Sequence, residues 1–256
     1  MIESIQPLYG IKNQYNCAQV FIDDKVNVGL GDKVAIYCGE HEVTYQQLFF
    51  DVNKIGNALK EIGVEQDNRI LQVIHDSPEF VASFYGAIKI GAVPIAVNTF
   101  MQPHDYEYFL NHSRAKVLII EEDIWNGIKE LRNRFVFLKH VIVISHTHIA
   151  NSEELNYYDL IRDASTQLDT ARTTSQDTAF WPYSSGSTGN PKGVTHLQRS
   201  MEVAYKNYAK NILGITEEDR TFSASKLFFA YGLGNGMYFP LGASASTILL
   251  RDRPTA

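Results

Sequence analysis

Between Tyr183 and Gly193 the chain reads Tyr-Ser-Ser-Gly-Ser-Thr-Gly-Asn-Pro-Lys-Gly, and the six residues from Ser184 to Gly189 are all serine, threonine or glycine. Such a run gives a core almost no apolar surface. It gives an anion hydroxyls and backbone N–H groups, which glycine lets converge because it tolerates unusual φ/ψ and adds no bulk. Lys192 adds a positive charge on a mobile stem, and Pro191 stiffens the approach to it. Ser184, Ser185, Gly186, Ser187, Thr188, Gly189 and Lys192 therefore read as a phosphate-holding loop.

Spacing narrows the chemistry. A Walker loop needs glycine, four residues, then Gly-Lys-Ser/Thr. Counting from Gly186, Pro191 stands in the place of the second glycine, and Lys192 is followed by Gly193. The Gly-x-Ser-x-Gly nucleophile elbow is also missing around Ser185 and Ser187. A Gly/Ser stretch is commonly just a flexible linker. A linker has no use, however, for Trp181-Pro182-Tyr183 on one side and Pro191-Lys192-Gly193 on the other.

A second stretch, Phe222 to Gly236, carries Lys226-Leu227-Phe228-Phe229-Ala230-Tyr231-Gly232. An isolated aromatic is usually core. Gly232, Gly234 and Gly236 do not make the dinucleotide fingerprint and read as backbone-packing or turn positions. His140, His146 and His148 lack the spaced acidic or cysteine partners that complete a metal site. Cys17 and Cys38 show no metal-ligand spacing and read as reduced, partly buried thiols.

Stepping outward, 256 residues can hold one large domain or two modest ones. With 23 Lys and Arg against 29 Asp and Glu, the net charge of -6 points away from nucleic acid and from anionic membranes. Met1 to Pro7 has neither the basic nor the apolar segment of a signal peptide, and the most apolar window, Val81 to Val97, is interrupted by Lys89, Gly91 and Pro94. The expected location is the cytoplasm.

Residues 16 to 28 predict a weak helix, and Lys33 to Cys38 a strand. Thr44 and Gln47 form a capping box that opens a helix with Leu48, Val52, Ile55, Leu59 and Ile62 on one face, closed by Gly63. Strands are expected at Ile70–Ile74, Val93–Val97, Lys116–Ile120 and Val141–Ile144. Helices are expected from Ser77-Pro78 to about Gly91, and over Asp105–Asn111, Ile124–Leu131 and Tyr157–Arg162. This alternation predicts an α/β fold with mainly parallel sheets and helices on both faces. The polar segment from Asp163 to Asp177 reads as a surface connection and a candidate subdomain boundary. Thr178–Tyr183 then predicts a strand and Leu197–Asn211 a helix, placing the loop where open α/β sheets bind ligands and where a helix N-terminus favours an anion.

The segment Tyr183 to Gly193 resembles the signature phosphate loop of the adenylate-forming superfamily, which includes acyl-CoA synthetases, peptide-synthetase adenylation domains and luciferases. Val43-Thr44-Tyr45-Gln46-Gln47-Leu48 and Gly86 to Pro94 are weaker family features in the expected order. Phe222 to Gly236, and Arg253-Pro254-Thr255, resemble the benzoate-CoA ligase branch. The resemblance covers nearly the whole chain and implies that residues 1–256 are part of an N-terminal AMP-binding domain.

The resemblance implies that a carboxylate and Mg-ATP form an acyl-adenylate, and that the acyl group passes to the thiol of coenzyme A. By position, the loop residues would hold the nucleotide phosphates, with Thr188 nearest the magnesium ion. Phe229, Ala230, Tyr231 and Gly232 would line a pocket for a small aromatic or acyl carboxylate. Where many members carry histidine, this chain has Phe229, so its pocket is more apolar, with room for a flat ring. Gln198 stands where the family often has another histidine. Relatives are about twice as long, and no lysine here matches the one the family uses for adenylation from its small C-terminal domain. The expectation is that this chain by itself does not complete the reaction. The alternative is a non-catalytic nucleotide- or carboxylate-binding module. An amino-acid adenylation domain fits less well, because Phe222 to Gly236 offers no acid for a substrate ammonium.

Overall fold

The computed structural model describes residues 10–147, 153–184 and 189–252. π-type helical turns over Gln19–Asp23 run into α1 (Asp24–Asn27), covering the weakly periodic stretch. β1 (Val34–Cys38) turns at Gly39, whose φ is +59°, into the antiparallel β2 (His41–Thr44). α2 (Tyr45–Glu61) starts as its capping box predicts: Gln47 N–H donates to Thr44 Oγ1 at 3.2 Å, and Thr44 N–H to Gln47 Oε1 at 2.8 Å.

β3 (Arg69–Val73), α3 (Pro78–Lys89) and β4 (Val93–Ala96) follow, with Ser77 as the N-cap of α3. Next come α4 (Pro103–Ser113), β5 (Val117–Glu121), α5 (Glu122–Ile128), β6 (His140–Ile144), β7 (Glu154–Asn156) and α6 (Tyr157–Arg162). α4 is longer than the sequence pattern indicates. Its box pairs Gln102 with Asp105, Pro103 occupies the first turn, and Arg114 ends it in the left-handed region at φ +54°.

These strands form a five-stranded parallel sheet in the order β4-β3-β5-β6-β7. Because strand side chains alternate, each strand feeds two cores. Ile70, Val117, Ile119 and Ile142 join the α2 and α3 side, whereas Leu71, Leu118, Ile120 and Val143 meet Tyr106, Phe109 and Leu110 of α4 and Trp125 of α5. Helices thus cover both faces, as the unbroken apolar strands require.

The segment from 163 to 177 lies over α2 and α3. Asn53 Nδ2 donates to Thr166 O at 2.7 Å, Asn57 Nδ2 to Ser165 O and Gln167 O, and Ala171 N–H to Lys89 O. The segment's backbone carbonyls thereby accept from α2 side chains, and its Ala171 N–H satisfies the carbonyl at the end of α3.

The expected strand before the loop is split. β8 (Thr178–Phe180) stops at Trp181, whose N–H goes to Pro94 O, and Pro182 has no N–H to continue a ladder. β9 (Tyr183–Ser184) then pairs with β10 (Lys192–Gly193), and β11 (His196–Leu197) returns along β8; both pairs are antiparallel. α7 (Ser200–Ala204) begins later than predicted and continues as π-type turns to Leu213. A second sheet joins β12 (Arg220–Phe222), β13 (Ser246–Leu249), β1 and β2 in the order β12-β13-β1-β2, with β12, β13 and β1 parallel. α8 (Ala230–Leu233) and α9 (Phe239–Gly242) lie between β12 and β13.

Candidate nucleotide and carboxylate site

The phosphate-loop segment is the tip of a hairpin, not a strand-to-helix turn. Lys192 lies opposite Ser184 and Gly193 opposite Tyr183, so β9 and β10 hold the two ends of the loop together. The helix N-terminus expected directly behind the loop is absent from that place, since β11 intervenes before Ser200. Ser185, Gly186, Ser187 and Thr188 lie outside the described residues, and so does the magnesium position assigned to Thr188.

The hairpin docks on α4 through aromatic groups. Tyr183 packs edge-on against Phe109 with centroids 4.6 Å apart, and its hydroxyl shares a 2.8 Å hydrogen bond with His112 Nδ1. Tyr108 Oη donates to Pro191 O at 2.7 Å. Burial pushes the Tyr183 phenol above its ordinary pKa, so it stays neutral here. The flanking aromatics that argued against a linker are thus the anchor of the hairpin.

At the tip the chain is open. Ser184, Gly189, Asn190 and Lys192 are exposed, and Gly189 adopts φ +144° with no atom within 4 Å of an added Cβ. Ser184 Oγ donates to Lys192 O at 3.5 Å. Among the described residues the Lys192 ammonium has no hydrogen-bond or ion-pair partner. An exposed, uncommitted cation beside a left-handed glycine and a serine hydroxyl fits a polyphosphate.

The second stretch is built differently. Phe229, Ala230 and Tyr231 are exposed at the start of α8, with Phe229 52% and Tyr231 67% accessible. Gly232, assigned to the pocket lining, is buried beneath them: a Cβ there would come within 2.0 Å of Lys226 O and 2.4 Å of Ser225 O. Gly234 and Gly236 also face close neighbours, Phe239 at 3.0 Å and Leu227 at 3.0 Å. Gly232 and Gly236 let this turn lie against the preceding loop and Gly234 lets Phe239 approach, the backbone-packing role read from their spacing.

The loop before α8 is fixed at the carboxyl ends of β3 and β13. Leu227 N–H donates to Asp76 Oδ1 at 3.0 Å, just beyond β3. Lys226 Nζ donates to Arg251 O at 3.1 Å, to Asp252 O at 2.8 Å and to Leu250 O. Phe228 meets Phe100 edge-on at 6.3 Å and Phe229 at 4.6 Å. Arg251 pairs with Glu121 at 3.0 Å and Glu79 at 3.6 Å. Burial raises the pKa of both Asp76 and Glu121, against the lowering effect of nearby cations. Sequence reading did not find this polar junction, although a lone lysine heading an apolar aromatic run was a legible signal.

Gln198 is fully buried, and its Oε1 accepts from Cys17 N–H at 2.8 Å. In this chain it ties the first helical turns to the end of β11. His196 stacks on Phe180 with centroids 4.6 Å apart, and burial lowers its pKa.

The family model for AMP-binding enzymes matches residues 24–256. The chain belongs to this family. Its relatives within the family include the benzoate–CoA ligase of Thauera aromatica, 38% identical over 97% of this chain and 46% of the relative. Another is the 4-hydroxybenzoate–CoA/benzoate–CoA ligase of Rhodopseudomonas palustris, 38% identical over 94% of this chain and 44% of the relative. Among solved structures, an anthranilate CoA ligase in complex with anthranoyl-AMP superposes with a TM-score of 0.91 at 33% identity, covering 95% of this chain and 46% of that one. A benzoate CoA ligase from Burkholderia xenovorans LB400 gives a TM-score of 0.85 at 34% identity, covering 94% and 46%. The chain thus spans under half the length of the family members it matches. Among the described residues, no helix is long and apolar enough to cross a membrane.

Proposed function

We propose that this chain contributes to the activation of a small aromatic carboxylate of the benzoate class as an acyl-adenylate, followed by transfer to coenzyme A. The observation that carries the reading is the exposed Phe229-Ala230-Tyr231 face on a glycine-packed turn, in a chain whose relatives are named for benzoate and hydroxybenzoate. Ala230 is the small residue between Phe229 and Tyr231 on this exposed turn, and its size would leave room for a flat ring.

Ser184, Gly189 and Lys192, with Ser185, Gly186, Ser187 and Thr188, hold the triphosphate. A carboxylate attacking the α-phosphate brings two anions together, so these donors are needed where charge builds up in the transition state. Thr188 would be the hydroxyl to approach a magnesium ion bound with ATP, which would supply charge neutralisation of the phosphates. Coenzyme A is the acyl acceptor. The unpaired thiols Cys17 and Cys38 suit a reducing cytoplasm.

We also propose that the 256-residue chain alone does not adenylate, since it matches under half of each catalytic relative. The test is benzoate-dependent ATP–pyrophosphate exchange. In a full-length protein carrying this chain, Ala230→Phe should abolish exchange with benzoate while ATP affinity stays within about threefold, because overpacking is local. Undiminished exchange in that variant overturns the pocket assignment. Robust exchange by the 256-residue chain overturns the dependence on further sequence. The alternative, a binding module without turnover, requires binding without exchange in the full-length protein as well.

A further inference from the structure

We propose that Lys226 is a positioning residue that sets the aromatic wall of the carboxylate pocket and, through it, the preference for a ring over a small aliphatic acyl group. The proposal rests on the functional reading above and deepens it.

Lys226 is 5% exposed, yet no single carboxylate accounts for its burial. Asp76 lies 3.6 Å away, longer than a good charge-assisted hydrogen bond, while the ammonium's donors go to three successive carbonyls, Leu250, Arg251 and Asp252. A lysine has three donors, and here each finds a backbone acceptor just beyond β13. The side chain therefore serves as a staple between the loop before α8 and the end of β13.

The staple acts on the pocket through the backbone. The Lys226 carbonyl is the atom that a Gly232 Cβ would meet at 2.0 Å, so the first turn of α8 rests directly on this residue. Phe229 N–H donates to the same carbonyl at 3.0 Å. On the next residue, Leu227 N–H is held by Asp76. Any shift of Lys226 is passed to Phe229, Ala230 and Tyr231 without slack, because glycine leaves no compressible side chain between the two backbones. Phe229, Ala230 and Tyr231 are exposed, so the backbone beneath them does most to set their positions. Arg251, whose own carbonyl is one of the three stapled, reaches Glu121 and Glu79, which links the same point to the five-stranded sheet.

The test compares wild type, Lys226→Met, Lys226→Arg and Asp76→Asn in a full-length protein carrying this chain. Two hydrolysis-resistant probes are titrated, benzoyl-sulfamoyl adenosine and acetyl-sulfamoyl adenosine, and amide hydrogen exchange is followed across 226–233. Lys226→Met should speed exchange there by about tenfold and lower the benzoyl-over-acetyl preference by about tenfold, the equivalent of one charge-assisted hydrogen bond. Lys226→Arg, which can still reach the carbonyls, should restore the preference to within about threefold of wild type. Asp76→Asn keeps an acceptor for Leu227 N–H and covers the case in which Lys226→Met fails to fold; its preference should fall by about threefold. A merely structural lysine would lower stability and the affinity for both probes equally, leaving the preference unchanged, and that result overturns the proposal. Wild type that binds neither probe overturns the functional reading, and the selectivity assigned to Lys226 with it.

Discussion

The hairpin from Tyr183 to Gly193 and the loop from Lys226 to Gly236 solve opposite problems in one chain. The hairpin is anchored at its base by Tyr108, Phe109 and His112, and its Lys192 carries an ammonium with no partner among the described residues. The aromatic loop spends a buried lysine, a buried aspartate and three tightly packed glycines on holding its backbone. Phosphate is recognised by charge and by donors that can adjust, whereas a ring is recognised by shape. The difference teaches that the uncommitted region suits the ligand part carrying charge, and the rigid one suits the part carrying shape.

Glycine substitutions probe that contrast most strongly. Gly232→Ala drives a Cβ into backbone and should cost about 3 kcal/mol in urea unfolding, at the upper end for overpacking. Gly193→Ala, whose Cβ would meet Trp181 at 3.4 Å in ordinary contact, should cost no more than about 0.5 kcal/mol. Equal costs would erase the distinction between the two regions.

A smaller effect separates binding from stability. Lys192→Ala should weaken Mg-ATP binding by about tenfold, as for one charge-assisted contact, with the unfolding free energy unchanged within about 0.5 kcal/mol. A matching loss of stability would show that Lys192 is committed to the fold.

The smallest effect concerns His196 at the foot of the hairpin. Its folded pKa is depressed by burial, so the unfolded chain binds the proton more tightly. Stability is then fully present above the unfolded value of about 6.5 and is lost as pH falls through the lower folded value. Because the ring is only partly buried, the loss should be the smallest of these effects, and His196→Gln should remove it from the pH profile of urea unfolding.

Much of this architecture is legible in the sequence, because its signals are local. The box of Thr44 and Gln47 and the cap of Ser77 with Pro78 act within one turn, and the apolar strands of the parallel sheet stand out against polar helix faces. β13 is less legible. Its Ser246 and Thr247 look like loop residues until their hydroxyls are seen to donate to Val34 O and Gly236 O, over two hundred residues away in the first case. The hairpin is not legible, because antiparallel pairing of two-residue strands leaves no periodic trace. The anchor of Lys226 depends on Asp76 and on residues 250–252, brought together only by the meeting of two sheets. The loop chemistry could be read from residue types, but its support could not.

The central claim is that the face formed by Phe229, Ala230 and Tyr231 receives an aromatic acyl group while the hairpin holds its nucleotide. Calorimetric titration of benzoyl-sulfamoyl adenosine into a full-length protein carrying this chain and into its Ala230→Phe variant tests it most directly. The account predicts saturable binding by the wild type and its loss in the variant, with both proteins equally folded. Equal binding by the two would contradict it.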